Sequence, residues 1–141
     1  HANDKGAFFK EAHRILKKGG CIILGDYYKK EGQFTEKEAA ILQKWLNAWA
    51  IADICSKSEM TNLAVENGLQ VAEFRNITPN IKKTATRMYY SSFYLGAVSA
   101  MYRIYNPKVS FFADNHYKAM RNQYPALKKG LWGYYFAKFV K

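Results

Sequence analysis

The residues best suited to chemistry in this 141-residue chain fall into two groups. The first is Asp26 with Tyr27 and Tyr28, directly after the apolar run Cys21-Ile22-Ile23-Leu24. A short apolar run without alternation predicts a strand covered on both faces. Asp26 then leaves it at the carboxyl end, where open α/β sheets place their ligands. A carboxylate and two phenols there can orient a small acceptor, but the carboxylate can equally satisfy amides of the following turn. The second group is Trp45, Trp49, Met88, Tyr89, Tyr90, Phe93 and Tyr94, packed densely onto two predicted helices. Such a set can line a pocket for a flat or lipophilic molecule, although an aromatic stripe at helical spacing is ordinarily core. His1, His13 and His116 have no metal-ligand spacing with the scattered acids. Cys21 and Cys55 are too few for a disulfide framework or a zinc site and read as structural thiols.

The elements that must position these residues follow from periodicity and caps. Asn3 or Asp4 caps a helix to about Lys18, with Phe8, Phe9, Ala12, Ile15 and Leu16 as its apolar stripe. Lys17 and Lys18 sit where cations favour a helix C-terminus, and Gly19-Gly20 supplies the turn. Thr35-Glu36-Lys37-Glu38 is a capping box opening a helix to about Asp53. Ser56 or Ser58 opens another, which stops at Asn67-Gly68. Leu69 to Ile77 reads as a strand, Pro79 to Tyr105 as a long helix interrupted only by Gly96, 111–123 as a further helix and 131–140 as a last strand.

The order of these pieces resembles a known family. Arg14-Ile15-Leu16-Lys17-Lys18-Gly19-Gly20 followed by an apolar strand is similar to the entry to the fifth strand of class I S-adenosylmethionine-dependent methyltransferases, with Lys18 in place of the usual proline. Asn67-Gly68-Leu69 with Asn76-Ile77-Thr78 resembles their sixth-strand segment, and the aromatic run GLWGYYFAKFVK their closing strand. The family's glycine-rich loop is missing, since no G-x-G-x-G occurs anywhere. The resemblance therefore implies the C-terminal half of a Rossmann-like α/β fold, with about three strands, the last antiparallel and inserted between the other two. It implies a fifth-strand unit over about 1–34, lid helices over about 35–55 and 79–128, and sixth and seventh strands over about 69–78 and 131–140. It further implies methyl transfer from S-adenosylmethionine to a small lipophilic or aromatic acceptor, with the cofactor bound mainly by a half absent from this sequence. His1 matches a histidine that some members place beside the acceptor, which makes it the candidate base; Asp26, Tyr27, Tyr28 and the lid aromatics are the candidate acceptor contacts.

Charge adds a second theme. Up to Glu73 ten Lys/Arg balance ten Asp/Glu, whereas from Phe74 onward twelve Lys/Arg face Asp114 alone. Sixteen of the 23 aromatic residues lie in that basic part. Basic residues interleaved with aromatics suit an acidic substrate or an anionic membrane surface, and a non-catalytic binding module for such a partner is the alternative to an enzyme. No RNA-binding signature, helix-turn-helix or zinc pattern supports nucleic acid. No run approaches the roughly 20 apolar residues of a membrane span, and a cytoplasmic protein is expected. The uncharged, proline-free edge of strand 21–25 predicts pairing with the absent half or with a second copy.

Overall fold

The computed structural model describes residues 4–141, and the backbone alone at 112 and 113. Eight elements follow in the order α1 (Lys5–Ile15), β1 (Cys21–Lys29), α2 (Glu36–Ala48), α3 (Lys57–Glu66), β2 (Gln70–Asn76), α4 (Thr78–Tyr105), α5 (Phe111–Lys128) and β3 (Trp132–Val140). They form two compact units: His1–Glu31 with Ile54–Pro79 and Trp132–Lys141, and Gly32–Asp53 with Asn80–Leu131.

The first unit is a three-stranded sheet in the order β1-β3-β2, with β3 antiparallel to both neighbours. This is the expected arrangement, the last strand inserted between the other two. Register assigns the faces. Ile22, Leu24, Asp26 and Tyr28 oppose Phe139, Ala137, Tyr135 and Gly133, and α1 and α3 cover that side through Phe9, Met60 and Ala64. Val71 and Phe74 oppose Phe139 and Ala137 although they are three residues apart, because a bulge between Val71 and Glu73 resets the alternation.

β1 departs from expectation in two respects. It runs on to Lys29, past the expected end at Gly25, because β3 pairs with it along its whole length. Asp26, Tyr27 and Tyr28 therefore lie within the strand and not after it. Its cover differs as well. Cys21 is exposed and Ile23 is 58% exposed, so the strand is covered on one face and not two. Both helices of the unit pack on the Ile22–Leu24 side, and among the described residues the Cys21–Ile23 side has no such cover. An unbroken apolar run is thus compatible with a half-open strand.

α1 is held at both ends by charge. The Asp4 carboxylate accepts from the Ala7 amide at 2.8 Å, and at the other end the Lys141 ammonium donates to the carbonyls of His13 and Leu16 at 2.6 and 2.9 Å. The cation that caps this helix is therefore the last residue of the chain, while Lys17 and Lys18 are exposed. The two glycines have different tasks. Gly19 takes φ +76°, and a side chain on Gly20 would come within 2.8 Å of the Lys17 carbonyl. Their backbones also bond reciprocally with Lys141, Gly19 to its carbonyl at 2.9 Å and Gly20 from its amide at 3.0 Å.

The second unit contains α2, α4 and α5, with Leu42, Trp45, Leu46, Ala119 and Ala126 buried. The capping box is present: Thr35 Oγ1 accepts from the Glu38 amide while the Glu38 carboxylate accepts from the Thr35 amide. α2 ends five residues before the expected Asp53. Ala50 takes φ 54°, and the Ile51 amide turns back to the Leu46 carbonyl at 2.9 Å, a helix stop usually made with glycine. α5 runs through Pro125 to Lys128, further than the expected 123.

Lys141→Met keeps the aliphatic stem and removes the helix-capping cation. It is expected to lower stability by about 1–2 kcal/mol, read as an earlier urea midpoint at unchanged m-value. An unmoved midpoint would contradict the capping role.

Candidate functional site

Of the first candidate group, the structure spreads the side chains over both faces of the sheet. Asp26 is on the helix-covered side, half-buried, with Oδ1 accepting from the Tyr27 amide at 2.8 Å. Burial pushes its carboxyl above the usual value, opposed by that amide bond and by the charge of Lys5. Tyr28 lies deeper on the same side. It is 1% exposed, packs edge-on against Phe74 and Tyr135, and its hydroxyl has no hydrogen-bond partner among the described residues. Burial is also the main cause that raises the phenol's pKa, with the Asp26 charge second. Tyr28 thus belongs to the core of the unit, where an acceptor-lining residue was expected.

Tyr27 faces the other way. Its ring meets Trp132 at 5.1 Å and Tyr134 at 5.0 Å, both edge-to-face. The Tyr134 hydroxyl donates to the Gly25 carbonyl at 2.9 Å, so β3 braces the middle of β1 with a side chain as well as with its backbone. Neither Trp132 nor Tyr134 stood out in the sequence, because the aromatic run of the last strand reads simply as strand. The loop after β1 is tied to the start of α3. The Lys29 ammonium pairs with Glu59 at 3.2 Å, and the Glu31 carboxylate accepts from the Ser58 amide and hydroxyl at 2.9 and 2.7 Å. Those bonds hold the Glu31 carboxyl below the usual value.

The second group separates into core, cavity and surface. Trp45 is fully buried, whereas Tyr90, Phe93 and Tyr94 are 68%, 52% and 62% exposed. Tyr89 is half-buried against Tyr90, Phe93 and Tyr124. Trp49 lines a cavity. That cavity, of about 390 Å³, is bounded by Trp49 with Leu95, Val98, Ser99 and Tyr102 of α4 and His116, Tyr117 and Met120 of α5.

Its geometry follows from two local features. The stop at Ala50 leaves Trp49 as the cap of α2, its ring edge-on to His116 at 5.0 Å. Gly96 lets α5 approach α4, since a side chain there would meet the Tyr117 ring at 3.2 Å and the Arg121 guanidinium at 3.3 Å. Arg121 then stacks on Phe93 at 4.5 Å and donates to the Ser92 carbonyl at 2.9 Å, clamping the two helices beside the cavity. The lining is mostly apolar, with one serine hydroxyl, two phenols and one imidazole: the composition of a site for a small apolar molecule with a polar end. His116 stood out in the sequence only for lacking metal-ligand spacing, and its neighbour across the cavity could not be read from spacing.

His1, the candidate base, lies outside the described residues. No cluster of His, Cys, Asp or Glu among the described residues can hold a metal ion. Nor do these residues fit S-adenosylmethionine. The loop between β1 and α2 carries a single glycine, Gly32 at φ +80°, and not a G-x-G-x-G run. β2 runs almost directly into α4, with the Thr78 amide taken by Asn76 and its hydroxyl by Tyr134.

No protein-family model matches the sequence, and no curated protein matches it. Solved structures do match. One assigned as a sarcosine dimethylglycine methyltransferase from Galdieria sulphuraria is 21% identical with TM-score 0.71, over 100% of this chain and 49% of that one. A cyclopropane synthase from Mycobacterium tuberculosis is 12% identical with TM-score 0.72, over 97% and 50%. The geranyl diphosphate C-methyltransferase of Streptomyces coelicolor, in complex with Mg2+, geranyl diphosphate and S-adenosyl-L-homocysteine, is 17% identical with TM-score 0.61, over 97% and 42%. The chain spans between 30% and 54% of the length of these and similar solved structures. At these identities the likeness is one of fold: this chain has the fold of the C-terminal part of class I methyltransferases.

Asp26→Asn tests the buried carboxyl. A carboxyl whose pKa is raised on folding favours the folded state fully below its ordinary value of 3.8 and loses that contribution as pH rises through the folded value. The variant can keep the Tyr27 amide bond without burying charge. Its melting temperature is expected to exceed the parent's at neutral pH, with the gap closing as pH falls through this window. A gap independent of pH would contradict the assignment.

Proposed function

We propose that this chain is the acceptor-holding part of an S-adenosylmethionine-dependent methyltransferase acting on a small lipophilic or aromatic molecule. The cofactor would be bound mainly by sequence outside these 141 residues. The observation that carries this reading is the cavity of α2, α4 and α5, about 390 Å³ and mostly apolar, in a chain whose fold matches the C-terminal part of methyltransferases. Two of the matched structures, by name, are a cyclopropane synthase and a C-methyltransferase complexed with geranyl diphosphate, both consistent with an apolar acceptor.

In this reading Trp49, Leu95, Val98 and Met120 strip water from the acceptor's apolar surface, which supplies most of its affinity. Ser99, Tyr102, Tyr117 and His116 offer hydrogen bonds that fix which end points outward. The contribution to catalysis is alignment, since holding an acceptor in attack geometry can account for several kcal/mol of a transfer barrier. Asp26 and the Tyr27–Trp132–Tyr134 group lie in the second half of β1 and the paired start of β3, toward the edge where sheets of this type present ligands, and are assigned to shaping that rim.

Two measurements test the reading. Calorimetric titration of S-adenosylmethionine into this chain is expected to give no low-micromolar binding, and such binding would place the cofactor site here. In a complete enzyme with both halves, Trp49→Ala is expected to raise the acceptor KM by about tenfold or more with the cofactor KM unchanged. Trp45→Ala should instead cost about 3–5 kcal/mol of stability as a core truncation. Equal rises in both KM values for Trp49→Ala would return that residue to a packing role.

A further inference from the structure

α4 carries a feature that the cavity does not use. At about 100° per residue, Lys83, Arg87, Tyr90, Tyr94, Met101 and Tyr105 fall within an arc of about 80° and form one row about 33 Å long. Apolar rows on helices are normally buried, yet Tyr94, Met101 and Tyr105 are 62%, 62% and 80% exposed. Lys83 and Arg87 are exposed at the same row's start, and Lys108 follows just beyond its end. No acidic residue occurs between Glu73 and Asp114. Asp114 itself is engaged by Arg103 at 2.9 Å and Lys118 at 3.1 Å.

We propose that this row is a docking ridge for an anionic lipid bilayer. Charge complementarity selects that occupant. A second copy stacked on the ridge would bring Lys83, Arg87 and Lys108 against another set of cations, with no carboxylate on the row to meet them. An anionic membrane surface meets them with phosphates. The side chains suit the same surface: tyrosine places an apolar ring at headgroup depth with its hydroxyl in water, while methionine enters the acyl boundary. The ridge is also a single convex helix face, the shape that lies in a lipid interface.

The ridge adjoins the cavity. Val98 lies on the same arc, is 54% exposed, and also lines the cavity wall. Resting on the acceptor-pocket reading above, this means that a lipophilic acceptor enters from the bilayer without crossing water. The substrate class is then a membrane-dissolved lipid and not a freely soluble metabolite.

The test is co-sedimentation of this chain with vesicles of phosphatidylcholine containing about one-third phosphatidylglycerol, against pure phosphatidylcholine. Binding is expected to the anionic vesicles only, and to weaken as salt is raised. Met101→Glu with Tyr105→Glu should reduce it by about tenfold or more, and Lys83→Glu with Arg87→Glu by a similar factor. All four positions are exposed, and unchanged far-UV circular dichroism confirms that the variants fold. Failure to bind anionic vesicles, equal binding to neutral ones, or indifference to the apolar pair would overturn the proposal. So would a concentration-dependent dimer that the same substitutions abolish, since a second copy would then be the occupant. Titration of the Leu95 and Met120 methyl resonances with a fatty alcohol separates the two readings. No binding of the unsubstituted chain to anionic vesicles, with the cavity titration intact, sinks the ridge alone; vesicle binding as expected, with no response of the cavity to the alcohol, sinks the pocket alone.

Discussion

Everything in the sheet unit depends on the last strand. β1 and β2 do not pair with each other; each forms its ladder with β3, so the final residues of the chain supply the hydrogen bonds for two strands that precede them by far. The dependence reaches past the ladder. Tyr134 braces β1 through the Gly25 carbonyl, Thr78 fixes the start of α4 by accepting from the Tyr134 amide, and Lys141 caps α1. Contacts this distant in sequence close large loops before they return any stabilisation. The rim at Asp26 and Tyr27 therefore exists only once the end of the chain is in place.

The second unit has a different logic, helix against helix, and its cavity results from imperfect closure. Gly96 lets α5 come close on one side, while the early stop of α2 at Ala50 leaves Trp49 as one wall instead of continuing the helix past it. An apolar cleft of this size holds water that its lining solvates poorly, and releasing that water favours binding of an apolar molecule. Packing defects bounded by a tryptophan and a few hydroxyls are how helical units make room for small apolar molecules.

Much of this was legible in the sequence. The caps at Asp4, Thr35 and Ser56, the turn glycines and the three strands come from local patterns whose physics is local. The sheet order came from resemblance, which no periodicity could have supplied. The misread details share a cause, dependence on partners distant in sequence. Cys21-Ile22-Ile23-Leu24 looks buried on both faces because apolar character does not reveal what covers it. Lys141 caps α1 from 125 positions away, so the nearby Lys17 and Lys18 looked like the caps. The end of α2 was missed because alanine stands where the left-handed residue is usually glycine. Among the aromatics, Trp45, Trp49 and Tyr90 are alike in type and helical placement, yet one is core, one cavity wall and one surface. Only the packing partners of each helix face distinguish them.

The central claim is that this chain holds an apolar acceptor between α2, α4 and α5 and leaves the cofactor to another part of the protein. Methyl-resolved NMR of the chain tests it most directly, with a medium-chain fatty alcohol and S-adenosylmethionine titrated separately. The account predicts that the alcohol shifts the methyl resonances of Leu95, Val98 and Met120 and that S-adenosylmethionine moves none. Shifts caused by S-adenosylmethionine, with the alcohol leaving those three methyls unmoved, would contradict it.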